Sequence, residues 1–183
     1  IDEFTSICKE IASTIKTPFL KHILNSSGII NFPEAQFDMV RLGIGLYGIG
    51  DEKLKNCSSL KSVISQIKEV PAGESVGYNR AYVSDEKIRI AIIPIGYADG
   101  LNRALSNRKA QVIINGKRAS IIGNICMDMC MVDISIIDAQ EGDEVIVWDT
   151  QKHILDIAGS LNTIAYEVLT NVSQRVKRVF VQE

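Results

Sequence analysis

Three glycines, Gly43, Gly45 and Gly48, stand in G-x-G-x-x-G spacing within "MVRLGIGLYGIG". Glycines so placed let backbone N–H groups come close to a phosphate. A dinucleotide fingerprint needs more: a preceding strand, a long helix directly after, and an acidic residue about 20 positions on. A strand is predicted before Gly43, but no amphipathic helix follows and the chain turns to β patterns, so NAD is disfavoured. A phosphate loop and a plain glycine turn between domains both stay open on the glycines alone. Their neighbours favour phosphate. One predicted strand end offers His22 with Asn25 and Ser26, and the next offers Arg41 with Gly43 and Ile44. In a (β/α) barrel the last two loops commonly hold a phosphate. A serine hydroxyl with backbone N–H groups makes such a cradle without a cationic side chain.

The elements that would position these groups fall into two styles. Phe4, Ile7, Cys8, Ile11 and Ile15 lie at helical spacing, and Pro18 ends that helix. "FLKHIL" reads as a short buried strand ending in a loop at residues 25–28. "FPEAQF" reads as a brief turn or helix, and "DMVRLGIGLYG" as a strand entering a glycine loop. That order is α/β grammar, like the tail of a (β/α) barrel. After about residue 60, β signals follow one another. "SVISQIKEV" alternates up to Pro71-Ala72-Gly73, and "RIAIIPIGYADG" is an apolar strand closed by Asp99-Gly100. Asn115-Gly116 between alternating arms predicts a tight hairpin. "NICMDMCMVDIS" predicts another alternating strand, with Cys126, Asp128 and Cys130 on one face and Met127, Met129 and Met131 on the other. "EGDEVIVWD" adds a strand, residues 154–170 read as two short helices, and "RVKRVFVQ" reads as a closing strand. The expected fold class is a mixed α/β remnant of a (β/α)8 barrel, residues 1–50, followed by a mainly-β, small barrel-like domain, residues 51–183.

Composition narrows the classes of function. Hydrophobic residues make up 46% and charged residues 23% of 183, an ordinary globular balance. Twenty basic against 22 acidic residues give a net charge of -2, which removes the electrostatic motive for broad binding to nucleic acid or anionic lipid. No apolar run approaches the ~18 residues of a membrane span, and no signal segment opens the chain. The four cysteines are too scattered for a disulfide framework or a zinc site, so free thiols, no metal and a cytoplasmic location are expected. The chain opens at Ile1, directly in a helical pattern, and is expected to be a fragment.

"HILNSS", "FDMVRLGIGLYG", "ESVGYNRAY", "IPIGYADGLNR", "GNICMDMCMVD" and "NTIAYEV" together resemble the ordered motifs of the C-terminal half of alanine racemase, over nearly the whole chain. The resemblance implies a pyridoxal 5′-phosphate (PLP) enzyme that interconverts L- and D-alanine for cell-wall peptidoglycan by two-base proton transfer at Cα. It places Arg41 against the pyridine nitrogen, with His22 hydrogen-bonding and orienting it. A guanidinium cannot give up its proton, so the ring stays a poorer electron sink and proton return to Cα is favoured over transamination. It places Ser26, Gly43, Ile44 and Tyr166 on the phosphate, Gly43 and Ile44 through backbone N–H groups. Tyr78 becomes the catalytic base towards L-alanine. A free tyrosine has a pKa of ~10 and must be assisted by nearby positive charge to act at neutral pH. Tyr97 and Met127 help form the substrate pocket, Met127 through its N–H near the substrate carboxylate. Arg103 and Ile164 correspond to the channel into the site.

Two positions depart from the family pattern. Asn79 follows the tyrosine where Gly is common, and Asn is the next most tolerant residue of a left-handed backbone. Asn124 stands where Arg is common, which changes the charge lining the channel. The family's cofactor lysine, a further phosphate-binding tyrosine and a substrate-binding arginine have no matching motif in this chain. A full (β/α) barrel takes ~250 residues, and two strands alone would leave open edges. The resemblance further implies a homodimer in which Tyr78 and Met127 enter the partner's site, and a chain inactive by itself. Two other readings compete: a non-catalytic β module that mediates assembly within a larger fusion, and a racemase of another small amino acid such as serine. A scaffold needs none of Arg41, Tyr78 and Met127, which argues against the first.

Overall fold

The Asn115-Gly116 pair forms the two-residue turn its type predicts in the computed structural model, which describes residues 1–181. Both residues take positive φ, 49° and 74°, the condition for a hairpin turn whose twist matches its strands. The turn joins β6 (Gln111–Ile114) to β7 (Lys117–Ile122), with Ile114 opposite Lys117.

Around this hairpin runs an antiparallel sheet. It includes β1 (Leu60–Val63), β2 (Gln66–Val70), β5 (Ile88–Ile93), β8 (Cys130–Asp133) and β9 (Glu144–Trp148), in the order β1-β9-β6-β7-β8-β5-β2. Its two end strands are neighbours in sequence, separated only by Ile64 and Ser65. Ile64 donates its N–H to the Asp143 carbonyl at 2.9 Å, beside β9, and Ser65 donates to the Ile92 carbonyl of β5 at 2.9 Å. Consecutive residues thus bond to opposite ends of one sheet, which closes it into a barrel and removes its free edges. Ile64, Ile93, Val112, Ile114, Ile121, Val132 and Val145 are among its fully buried side chains. A two-stranded ribbon, β3 (Ser75–Val76) and β4 (Tyr82–Val83), frames the segment between them. Helices α3 (Gln151–Ser160) and α4 (Ala165–Thr170) follow β9, as the two-helix pattern anticipates, and Thr150 caps α3 through the His153 N–H.

The chain divides into two compact units, Ile1–Cys57 and Ser58–Glu183. The first holds α1 (Asp2–Thr14), α2 (Ser26–Asn31) and two 3-10 turns, Pro33–Ala35 and Ile44–Tyr47. On α1 only Cys8 is buried, and Phe4 meets the Phe37 ring at 5.2 Å.

Several expectations need correction. Residues 19–24 and 39–43 are not strands. They run side by side in one direction, because Asp38 N–H donates to the Lys21 carbonyl at 3.1 Å and Arg41 N–H to the Leu24 carbonyl at 2.9 Å. Ladder bonds recur every second residue, whereas these fall three apart. The loop expected at residues 25–28 is the first turn of α2, capped by Asn25, whose side chain accepts the Gly28 N–H at 2.9 Å. The strand expected through "NICMDMCMVDIS" begins only at Cys130. Before it, Cys126 N–H donates to the Met129 carbonyl in a tight loop that breaks the alternation. Residues 175–181 are not a strand either, and the remainder of that expectation lies outside the described residues.

Candidate functional site

Candidate site residues occur in both units. In the first, Ser26 is the pivot. It is only 4% exposed, and its Oγ accepts N–H bonds from Gly43 at 2.9 Å and Gly45 at 3.2 Å. A hydroxyl has two lone pairs and one proton. Both lone pairs are taken, and the proton meets no acceptor among the described residues. Two inbound N–H dipoles polarise that O–H outward, which makes it a better donor to an anion. Ile44 opens the adjacent 3-10 turn, where an N–H takes no carbonyl of its own turn. The turn ends at Gly48, whose φ is 77°, and a Cβ there would lie 2.2 Å from the Lys55 carbonyl oxygen. No other residue type fits that position, so Gly48 serves a backbone crossing within the loop. Arg41 is exposed and donates from its guanidinium to the Ile23 carbonyl at 3.0 Å. The His22 ring, expected to orient this arginine, is exposed and makes no hydrogen bond to it among the described residues.

In the second unit, Tyr78 stands 72% exposed at the start of a 3-10 turn, Tyr78–Arg80. Gly77 and Asn79 both adopt left-handed backbone, φ 78° and 61°, so asparagine does meet the demand placed on it. The Tyr78 carbonyl accepts the Asn124 side-chain amide at 3.0 Å. Asn124 thus pins the tyrosine's turn, a role its position in a channel motif did not disclose.

Tyr97 and Met127 are brought together by backbone contact. Tyr97 N–H donates to the Cys126 carbonyl at 3.1 Å, and Ala98 N–H to the Met127 carbonyl at 3.0 Å. Gly96 makes the approach possible, since a Cβ there would sit 2.3 Å from both the Cys126 and Met127 carbonyl oxygens. Met127 is 54% exposed, and its own N–H takes no partner among the described residues. Arg103 and Tyr97 line a cavity of about 370 Å³ with Gly100, Asn102 and Asn171. Buried Ser106 links the Arg103 turn to the next loop, donating to the Arg103 carbonyl at 2.6 Å and accepting the Ile125 N–H at 2.9 Å. Tyr166 and Ile164 are exposed on and before α4.

Sequence reasoning missed Arg175, Asp99 and Asp128. The Arg175 guanidinium bridges the two carboxylates, from Nε to Asp99 Oδ1 at 2.7 Å and from a terminal nitrogen to Asp128 Oδ1 at 2.6 Å. Asp99 was legible only as part of a turn, and nothing in a linear sequence couples residue 99 to residue 175. Burial alone would push the Asp99 carboxyl up. The hydrogen bond from Arg175, the Gly96 N–H and the Arg175 charge outweigh it and hold the carboxyl below its usual range. Cys130 is no nucleophile, because burial, with Cys126 adding to it, pushes its thiol up to about 12. All four cysteines are free thiols. No helix among the described residues is long and apolar enough to cross a membrane.

Residues 1–51 match the family model described as alanine racemase, N-terminal domain, and residues 57–180 the one described as alanine racemase, C-terminal domain. An alanine racemase of Desulfovibrio desulfuricans is 45% identical over 172 residues, 89% of this chain and 46% of that protein. The solved alanine racemase of the D-cycloserine producer Streptomyces lavendulae superposes with a TM-score of 0.91 at 32% identity, over 100% of this chain and 51% of that one. That of Bartonella henselae, solved with covalently bound pyridoxal phosphate, gives 0.85 at 32% identity, over 96% of this chain and 50% of its own. The chain spans about half the length of the curated relatives it matches.

Proposed function

The chain belongs to the alanine racemase family, and from that membership we propose that it supplies the C-terminal part of a PLP-dependent enzyme interconverting L- and D-alanine. In this reading residues 1–50 are the last part of the cofactor-binding barrel, and residues 51–183 are the β domain. The observation that carries it is Ser26, a buried hydroxyl that accepts two glycine N–H bonds and has no acceptor for its own proton among the described residues.

These residues fit a phosphorylated cofactor. Ser26 O–H and the Ile44 N–H would hold the phosphate, and the Gly43 N–H, expected there as well, is donated to Ser26 Oγ and would keep the serine oriented; the family resemblance also assigns the Tyr166 phenol to the phosphate. PLP, when bound, supplies an electron sink that acidifies the Cα–H of an attached amino acid. Arg41, fixed by the Ile23 carbonyl, would hold a permanent cation at the pyridine nitrogen without giving it a proton. Tyr78 would take the proton from L-alanine on one face and return it in the reverse direction. Its turn is held by Asn124, so the phenol is presented from a fixed backbone. Met127 N–H would receive the substrate carboxylate, and Tyr97 would wall the pocket.

The base for the opposite face, a lysine, has no counterpart among these 183 residues, so this chain alone is expected to be inactive. We further propose that the whole enzyme is a homodimer in which Tyr78 and Met127 serve the partner's site. Its D-alanine would feed peptidoglycan, and the enzyme would work in the cytoplasm. The test is an assay of L-to-D-alanine conversion by the full-length enzyme and by the 183-residue chain, with serine as the competing substrate. Turnover of alanine by the full-length enzyme only is expected. Activity of the short chain alone, or a preference for serine, would refute the corresponding part.

A further inference from the structure

Arg175 lies beyond α4, in a segment whose sequence suggests only a closing strand. Its two carboxylate partners sit on two different loops. Asp99 is two residues past Tyr97, and Asp128 is next to Met127. Both oxygens of the Asp99 carboxylate are engaged, since Oδ1 accepts from Arg175 and Oδ2 accepts the Gly96 N–H at 2.8 Å. The Asp99 carbonyl in turn accepts the Ser173 N–H at 3.0 Å, which ties the same loop to the tail that carries Arg175. Close backbone approach reinforces this tie, because a Cβ at Gly100 would lie 2.7 Å from the Asn171 carbonyl oxygen. The tail is braced by Arg178, which donates to the Val172 carbonyl at 2.9 Å, to the Val176 carbonyl at 2.6 Å and to the Ser173 carbonyl.

We infer that Arg175 is a positioning residue for the racemase reaction: by gripping Asp99 and Asp128 at once, it fixes the Tyr97 and Met127 loops so that the Met127 N–H faces the substrate carboxylate. This rests on the role of Met127 in the proposed function.

The chemistry of the grip explains why an arginine stands there. Two carboxylates that reach one guanidinium would repel each other if that cation were removed. A planar fork with N–H bonds at fixed angles sets the separation of two acids, whereas an ammonium is a point charge and does so loosely. The two backbone bonds between the loops, at Tyr97 and Ala98, do not involve Arg175, so without it the Asp128 side of the Met127 loop should shift about that hinge without unfolding. Drift of that kind weakens a contact made equally to substrate and transition state, which raises KM and leaves kcat nearly unchanged.

The experiment is steady-state racemisation of L-alanine by the full-length enzyme carrying Arg175→Gln, Arg175→Lys or Asp128→Asn, with PLP absorbance and thermal unfolding recorded for each. Arg175→Gln is expected to raise KM about tenfold with kcat within about threefold and the cofactor spectrum unchanged. Arg175→Lys should recover part of the loss. Asp128→Asn removes one exposed arm, folds without Arg175→Gln's risk, and should raise KM about threefold. Unchanged KM in Arg175→Gln and Asp128→Asn, in an enzyme that racemises alanine, would overturn the inference alone. So would a loss of thermal stability or of kcat with KM untouched, the mark of a purely structural tie. An unsubstituted enzyme that does not racemise alanine would overturn the inference together with the reading beneath it.

Discussion

The two units of this chain hold their candidate site groups differently. The barrel unit closes its sheet at Ile64 and Ser65, and Ile64, Ile93, Val112, Ile114, Ile121, Val132 and Val145 fill it. The first unit carries Ser26, Gly43 and Arg41 on one short helix and the loops around it instead. Its order comes from polar ties: Asn25 capping α2, Ser26 gathering the Gly43 and Gly45 N–H groups, and Arg41 on the Ile23 carbonyl. A closed ladder satisfies its backbone internally, whereas hydrogen-bonded loops can be re-aimed at a ligand. The comparison teaches that Ser26 and the Gly43 and Gly45 N–H groups are gathered by local hydrogen bonds, whereas Tyr78 and Met127 stand on loops anchored to a closed barrel.

The sharpest way to break that division of labour is Tyr78→Phe in the full-length enzyme. Turnover from L to D should fall by about 10²–10⁴ while PLP absorbance stays normal. Turnover close to wild type would remove Tyr78 from the chemistry. Gly96→Ala should be the most damaging change to the barrel unit, because the new Cβ meets two carbonyl oxygens at 2.3 Å. A loss of about 3 kcal/mol in denaturant unfolding is expected, with the Tyr97 and Met127 loops forced apart. Ser26→Ala strikes the other unit. It strands the Gly43 and Gly45 N–H groups at about 1–3 kcal/mol and should weaken PLP binding about tenfold, read by fluorescence titration. The affinity of a variant that binds PLP as tightly as wild type would show that the phosphate rests elsewhere.

The smallest effect concerns pH. Asp99 is depressed in the folded protein, so its contribution to stability is present above the ordinary aspartate range and is lost as pH falls through its lowered value. Thermal unfolding followed from neutrality into strong acid should therefore drop more steeply for the wild type than for Asp99→Asn. Equal slopes would mean that the Arg175 clamp adds nothing in solution.

Parts of this were legible in the residues. Asn115-Gly116 specifies its turn locally, because few residues accept positive φ twice in succession. The two-helix pattern after β9 and the left-handed tolerance of Asn79 were equally local. The Asn25 cap has a local signal too, an Asn ahead of Ser-Ser-Gly, but a helix of only six residues is too short for its periodicity to separate it from a loop. The strand expected through Cys126 failed for another reason. Alternation over residues 124–131 is a pattern, but the bond from Cys126 N–H to the Met129 carbonyl and the press of Gly96 against that loop override it.

The sequence by itself determined the motifs, their order and the positions where only a small or left-handed-tolerant residue would serve, since each of these depends on neighbours in the chain. Only the tertiary structure decided that Ile64 and Ser65 close a barrel, that Ser26 collects two N–H groups from residues 17 and 19 positions away, and that Arg175 grips Asp99 and Asp128. Hydrogen bonds and ion pairs act over ångströms, and which distant residues come within that reach is set by how the whole core packs.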